Sequence, residues 1–274
     1  MKKMTCLILG LVLSLVTSAA NAQTTLKIEG STTVGPIADA FASVFKEKYP
    51  DVEISVKKTG SGSGAKSLCE GLCDIALMSR FLKDEEYVNA VEAGVKPVPH
   101  VIAGDGVCVI VHPTNPVQSL TGKQLKDIYL GKITDWKDLG GAPGKIVPIT
   151  RDSASGTFET FNIMVMDKEK MAGQVEVVSS NPQAYNRVKT TPSAIAYVGL
   201  GFLDKNVAAV KIDGVAPNRK TIASGEYAIS RPLYFFTNGY PKLGSAAHKY
   251  CTFFLSEDGQ EVIEKKGFVP LTDY

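Results

Sequence analysis

The run Ile149-Thr150-Arg151-Asp152-Ser153-Ala154-Ser155-Gly156-Thr157-Phe158 sets a permanent positive charge a few residues ahead of a Ser-Gly-Thr cluster. A cluster of this kind reads as the first turn of a helix. Its free N–H groups, two hydroxyls and the planar arginine fork together form a site for a tetrahedral oxyanion. Gly60-Ser61-Gly62-Ser63-Gly64 and Gly30-Ser31-Thr32-Thr33 stand in the same strand-to-helix setting. Three such turns in one chain are expected to converge on one anion. Ser79 and Arg80 follow a short strand, Asp74 to Met78, at the carboxyl end where α/β sheets bind ligands.

Reaction chemistry finds less support. Gly60 to Ser67 is one residue away from a P-loop, with Ala65 in place of the required glycine, so it reads as an anion-binding turn and not a nucleotide site. No Gly-x-Ser-x-Gly elbow is present, and His100, His112 and His248 are scattered without partner serine and acid. Clustered Asp and His for metal-assisted hydrolysis are missing, as is a second ligand pair at zinc-like spacing. The chain is therefore expected not to be an enzyme and to need neither cofactor nor metal. The blander readings are a helix N-cap for Thr32 and Thr33, and a ligand-free turn for the glycine-rich run.

The elements that must carry these turns alternate. Leu26 to Glu29, Val52 to Lys57, Asp74 to Met78, Val98 to Val111 and Ile146 to Ile149 read as strands, the fourth interrupted by Gly104 and Gly106. Pro36 to Glu47 carries a helical stripe of Ile37, Ala40, Phe41, Val44 and Phe45. Gly64 to Glu70, Leu125 to Leu130 and Phe158 to Val165 are further helices. Alternation of this kind defines an α/β class with covered sheets. Two prolines stop a strand in His112 to Pro116, and a return near Ser230 to Pro232 is the second candidate boundary between lobes.

Residues 1–22 read as an export signal: Lys2 and Lys3, an apolar core from Leu7 to Val16, and the small-residue site Ala20-Asn21-Ala22. Cys6 lies at the start of the apolar core and not at the cleavage site, which argues against a lipid anchor. Removing the signal takes the net charge from +2 to zero, which argues against general attraction to nucleic acid or anionic membranes. The mature chain is expected to be soluble and periplasmic. It keeps Cys69, Cys73, Cys108 and Cys251, for which three bridge connectivities are possible. Cys108 reads as a buried apolar residue, while Cys69 and Cys73 are close enough to pair across a helix end.

Taken together, the motifs resemble the substrate-binding protein of bacterial high-affinity phosphate ABC transporters. The resemblance rests on Gly30 to Thr33, Thr59 to Ala65, Asp74 to Arg80, LTGKQLKDIYLGKITDWKDL (Leu120 to Leu139), Arg151 to Thr157 and AIAYVG (Ala194 to Gly199), in that order. It implies a two-lobed, type II periplasmic-binding-protein fold, each lobe a mixed sheet flanked by helices, joined by hinge strands. Residues 23–113 and the return segment 231–274 would form the first lobe, and residues 114–230 the second.

By position, Thr32, Thr33 and Ser61 fall on the family's contacts in the first lobe; Arg151, Ser155, Gly156 and Thr157 fall on those of the second. The family commonly has an aspartate where this chain has Ser79, followed here by Arg80. That carboxylate accepts the proton of hydrogen phosphate, so its absence leaves a site built of donors, unless Asp152 or Asp105 replaces it. The implied function is capture of inorganic phosphate by a monomer and delivery to an inner-membrane permease. The alternatives are a binding protein for another tetrahedral oxyanion and a secreted phosphoesterase.

Overall fold

The computed structural model describes residues 24–271. The export signal lies outside them. In chain order the elements are β1 (Thr24–Gly30), α1 (Gly35–Lys48), β2 (Val52–Lys58), α2 (Ser61–Cys69), β3 (Ile75–Met78), α3 (Asp84–Glu92), β4 (Pro97–Val111) and β5 (Ser119–Leu120). There follow α4 (Gly122–Tyr129), β6 (Val147–Arg151), α5 (Gly156–Met164), β7 (Glu176–Val178), α6 (Asn181–Thr190), β8 (Ala194–Gly199), β9 (Ala208–Ala209) and β10 (Lys211–Ile212). The chain closes with α7 (Arg219–Ala223), β11 (Ser230–Asn238), α8 (Ala246–Cys251) and α9 (Glu257–Lys265).

The strands form two mixed sheets that share β4. The first runs β2-β1-β3-β11-β4 and the second β4-β8-β6-β7, with β9 also on β4. Pro97 to Gly106 of β4 pair antiparallel with β11, and Val107 to Val111 pair antiparallel with β8. The core divides at the same place. Leu26, Ile28, Ile37, Phe41 and Ile102 pack with Leu233, Phe235, Tyr250, Ile263 and Phe268; Val107 to Val111 pack instead with residues between Val117 and Ile229. Two α/β lobes thus hang on one continuous strand, a type II periplasmic-binding-protein fold.

Sequence patterning accounts for the elements flanking the site. Leu26 and Ile28 alternate inward on β1, while α1 buries Ile37, Ala38, Phe41 and Phe45 as one stripe. Pro36 sits in its first turn, where a missing N–H costs nothing, and Lys46 and Lys48 sit in its last, where they suit the dipole. Three expectations change. The glycines do not interrupt β4: a Cβ on Gly106 would come within 2.6 Å of Ile222 Cδ1, so the bare backbone lets α7 lie against an unbroken strand. The helix α2 begins earlier, at Ser61, so that its glycines and hydroxyls form the first turn, whereas α5 starts at Gly156, in the Ser-Gly-Thr turn where it is expected. All four cysteines are free thiols, and the candidate Cys69–Cys73 bridge is not formed. Cys73 is buried with its Sγ toward the Gly64 carbonyl at 4.0 Å, and burial pushes its pKa up to about 12. Cys108 is fully buried, as expected.

Candidate anion-binding site

Four helix starts meet where the lobes touch, α1 and α2 from the first and α5 and α6 from the second. Each carries free N–H groups and the positive end of a helix dipole. The turn before α1 is held by Ser31, whose Oγ accepts from Thr33 N at 3.1 Å and Val34 N at 3.4 Å. Ser31 therefore does the work that N-capping would have asked of Thr32 and Thr33. Their buried hydroxyls face the opposite lobe. At α2, Ser61 Oγ accepts from Ser79 N at 3.1 Å and lies 3.2 Å from Ser79 Oγ, which brings together two residues far apart in the reading of the sequence. At α5, Ser155 is a true N-cap, accepting from Phe158 N at 3.2 Å while its own O–H remains available to donate.

The two arginines singled out in the sequence are both buried. Arg151 leaves the end of β6 and donates through Nη2 to Ser179 O (2.8 Å) and through Nε to Val178 O (3.3 Å). It makes no ion pair among the described residues, and burial lowers its pKa to about 10, which leaves it charged at neutral pH. Arg80 is bound in a fork to Glu86 at 2.6 and 2.7 Å and to Phe81 O at 2.8 Å. Among the described residues, the buried side-chain nitrogen and oxygen atoms without a hydrogen-bond partner are Arg80 Nε and Arg151 Nη1.

Contacts across the cleft complete the arrangement. Thr33 Oγ1 and Thr157 Oγ1 are 2.9 Å apart. The amide of Asn181, the first residue of α6, donates to Thr32 Oγ1 and Thr33 Oγ1, both at 2.9 Å. Gly62 N donates to Ala154 O at 2.9 Å, and Lys83 pairs with Glu159 at 3.1 Å. A Cβ on Gly156 would stand 2.5 Å from Ser61 Oγ and 2.6 Å from Ser79 Oγ, so only glycine permits this approach of the lobes.

Arg231 was not foreseen. It lies opposite Asp105 in the β11–β4 register and donates to Asp105 Oδ2 through Nε at 3.0 Å and Nη2 at 2.8 Å. Its Nη2 also reaches Thr157 Oγ1 at 3.0 Å, and its Nη1 reaches Thr160 Oγ1 at 3.3 Å. Asp105 is not open to a ligand proton. Its other oxygen accepts from Leu200 N at 2.8 Å, and burial pushes its pKa up against the pull of Arg231. Asp152 accepts from Ala154 N at 2.9 Å, inside its own turn. Glu86 offsets Arg80, Asp105 offsets Arg231, and Arg151 is left without a carboxylate.

A cavity of about 940 Å³ lies elsewhere, between α7 and α9, where Arg219 pairs with Glu264. It holds none of the converging hydroxyls. No group of three or more His, Cys, Asp or Glu suited to a metal occurs among the described residues, and no helix among them is long and apolar enough to cross a membrane.

Two lobes on a shared strand, closing over a cleft of helix starts, hydroxyls and arginines, define a binding protein of the periplasmic class. The PBP superfamily domain matches residues 16–258. The chain is 34% identical over 253 residues to the phosphate-binding protein PstS of Bacillus subtilis, covering 90% of this chain and 81% of that one. It is 30% identical over 282 residues to PstS of Borreliella burgdorferi, covering 98% and 99%. Among solved structures, a Clostridium perfringens substrate-binding protein with bound phosphate superposes with a TM-score of 0.83 at 36% identity, covering 91% of this chain and all of that one. A phosphate transport receptor from Vibrio cholerae gives 0.72 at 31%, covering 89% and 99%. The chain belongs to the family of PstS phosphate-binding proteins within the PBP superfamily.

Proposed function

We propose that this protein captures inorganic phosphate in the periplasm, between its two lobes, and delivers it to the permease of an ABC transporter. The observation that carries this reading is the pair of orphaned buried donors, Arg80 Nε and Arg151 Nη1, one in each lobe beside the converging helix starts. An unmet buried donor is costly, and a guanidinium without a carboxylate more so, unless an anion completes it. The phosphate named or bound in the relatives supplies the anion.

In this reading Thr32, Thr33, Ser61, Ser79 and Arg80 approach phosphate from the first lobe, and Arg151, Ser155, Gly156 and Thr157 from the second. Dehydrating a dianion is expensive, so nearly every lone pair must meet a donor, and closure of the lobes brings the two donor sets together. The hydroxyl pairs Thr33–Thr157 and Ser61–Ser79 each have protons to turn toward anion oxygens. Residues 23–113 with 231–274, and residues 114–230, would be the two lobes. The division of the core supports this, with Val107 to Val111 moved to the second. The protein would be exported through residues 1–22 and act as a monomer. Its cycle is binding and release with no covalent step, and no cofactor or nucleic acid takes part.

Calorimetric titration of the ligand-stripped protein with phosphate, arsenate, sulfate and molybdate tests the reading. Phosphate should bind and a chromogenic phosphate ester should remain uncleaved. Glu86 and Asp105 are engaged, and Asp152 Oδ1 is turned to Ala154 N inside its own turn, so a site built of donors is the reading among the described residues, and sulfate should compete at millimolar concentration. Absence of any phosphate heat would remove the function, and indifference to sulfate would remove the donor-only site.

A further inference from the structure

We infer that Asn181 is a positioning residue that orients the Thr32 and Thr33 hydroxyls for the anion, and does so only when the lobes are closed. The inference rests on the phosphate-site reading above.

Asn181 is fully buried at the start of α6, which packs on β8 and β6 in the second lobe. Its Oδ1 accepts from the backbone N–H of Gly199 at 3.2 Å. A backbone N–H can only donate, so the oxygen must face Gly199 and the amide nitrogen must face the first lobe. That nitrogen carries two protons, and two hydroxyl oxygens stand at 2.9 Å from it, Thr32 Oγ1 and Thr33 Oγ1. Thr32 Oγ1 also lies 3.4 Å from the Asn181 backbone N, and Thr33 Oγ1 lies 3.5 Å from Arg231 Nη2.

A hydroxyl that already accepts from an amide must direct its own proton elsewhere. Both threonines therefore turn their oxygens to Asn181; Thr32 keeps its proton for the cleft, while Thr33 and Thr157, 2.9 Å apart, hold one of their two protons between them and leave the other for the cleft. Thr157 receives the same treatment from Arg231, whose Nη2 donates to Thr157 Oγ1 at 3.0 Å. The result is a corner of three hydroxyls with two protons left to donate, matched to ionised oxygens and ill matched to a ligand P–OH. Hydrogen phosphate must then place its single proton away from this corner. Asn181 belongs to one lobe and its two threonines to the other, so an open protein leaves these hydroxyls free to rotate. Closure and donor alignment become one event.

The test is a mutant cycle read by calorimetry with inorganic phosphate, with far-ultraviolet dichroism confirming the fold. In the natural background Asn181→Ala should weaken phosphate by about ten- to thirtyfold, the scale of losing hydrogen bonds to buried groups. In a background carrying Thr32→Val and Thr33→Val, where no hydroxyl remains to orient, the same change should cost less than about threefold. Asn181→Asp keeps the acceptor for Gly199 but takes the threonine protons for itself, and should be worse than alanine. Wild-type affinity in Asn181→Ala, or equal losses in both backgrounds, would overturn the positioning role. Arg151→Ala in parallel separates the two readings. Its loss of binding beside a silent Asn181→Ala sinks only this inference, whereas normal binding by Arg151→Ala sinks the site itself.

Discussion

At the scale of single residues, the site turns on one unpaired charge and one missing Cβ. Arg151 is 2% exposed and pairs with no carboxylate among the described residues, so in the proposed site its burial is a cost to the empty protein and an asset to the complex. Arg151→Ala should therefore lose about 2–5 kcal/mol of phosphate binding while thermal unfolding of the ligand-free protein stays the same or shifts upward. Wild-type affinity in the folded variant would take Arg151 out of the site. Gly156 acts through absence. Even alanine there would press on the Ser61 and Ser79 hydroxyls of the opposite lobe, at 2.5 and 2.6 Å. Gly156→Ala should harm binding more than Ser155→Ala, which removes one hydroxyl and costs about 1–3 kcal/mol. The reverse order by calorimetry would show that the lobes do not close on this turn.

At the scale of elements, β4 and β11 join the lobes, and their register places Asp105 opposite Arg231. Cross-strand neighbours of opposite charge are worth little on a surface, but this pair has side chains only 0% and 5% exposed. Removing one partner of such a pair leaves the other buried and unmatched. Asp105→Ala should cost about 3–5 kcal/mol in denaturant unfolding, the usual scale for a broken buried pair. A loss under about 1 kcal/mol would mean that water reaches Arg231. The exposed pair Lys48–Asp258 makes a contrast, since its removal should fall within the small range of surface pairs.

At the scale of the whole molecule, the described conformation is closed. Thr33 meets Thr157, Gly62 meets Ala154 and Lys83 meets Glu159, all between lobes whose cores are separate. Phosphate should shift the population toward this shape, so small-angle scattering should show a smaller radius of gyration at saturation than in the stripped protein. Identical curves would leave a rigid pocket as the better description. The closed form brings the helix starts and the outer Lys83–Glu159 pair into register together.

Much of the site was legible in the chain because its turns are local. Ser155-Gly156-Thr157 announces a helix start by residue type alone, as do Ser61 and its glycines, and Arg151 stands close enough in sequence to belong with them. Ser180-Asn181-Pro182, which the sequence reading passed over, carries a similar signal, an N-cap followed by proline in the first turn, at the start of α6. What no local pattern carried was partnership at a distance. Arg231 and Asp105 are single charges in apolar strands 126 positions apart, joined only by antiparallel register. Asn181 reaches Thr32 across 149 positions, and only because two lobes close. The sequence by itself determined the alternation of strands and helices, the Ser/Gly turns that open helices and the family. Which arginine meets no carboxylate among the described residues, and which hydroxyls meet an amide across the cleft, was decided by tertiary structure. Charge balance and hydrogen-bond polarity depend on what each group meets in space, and local sequence records only what it meets along the chain.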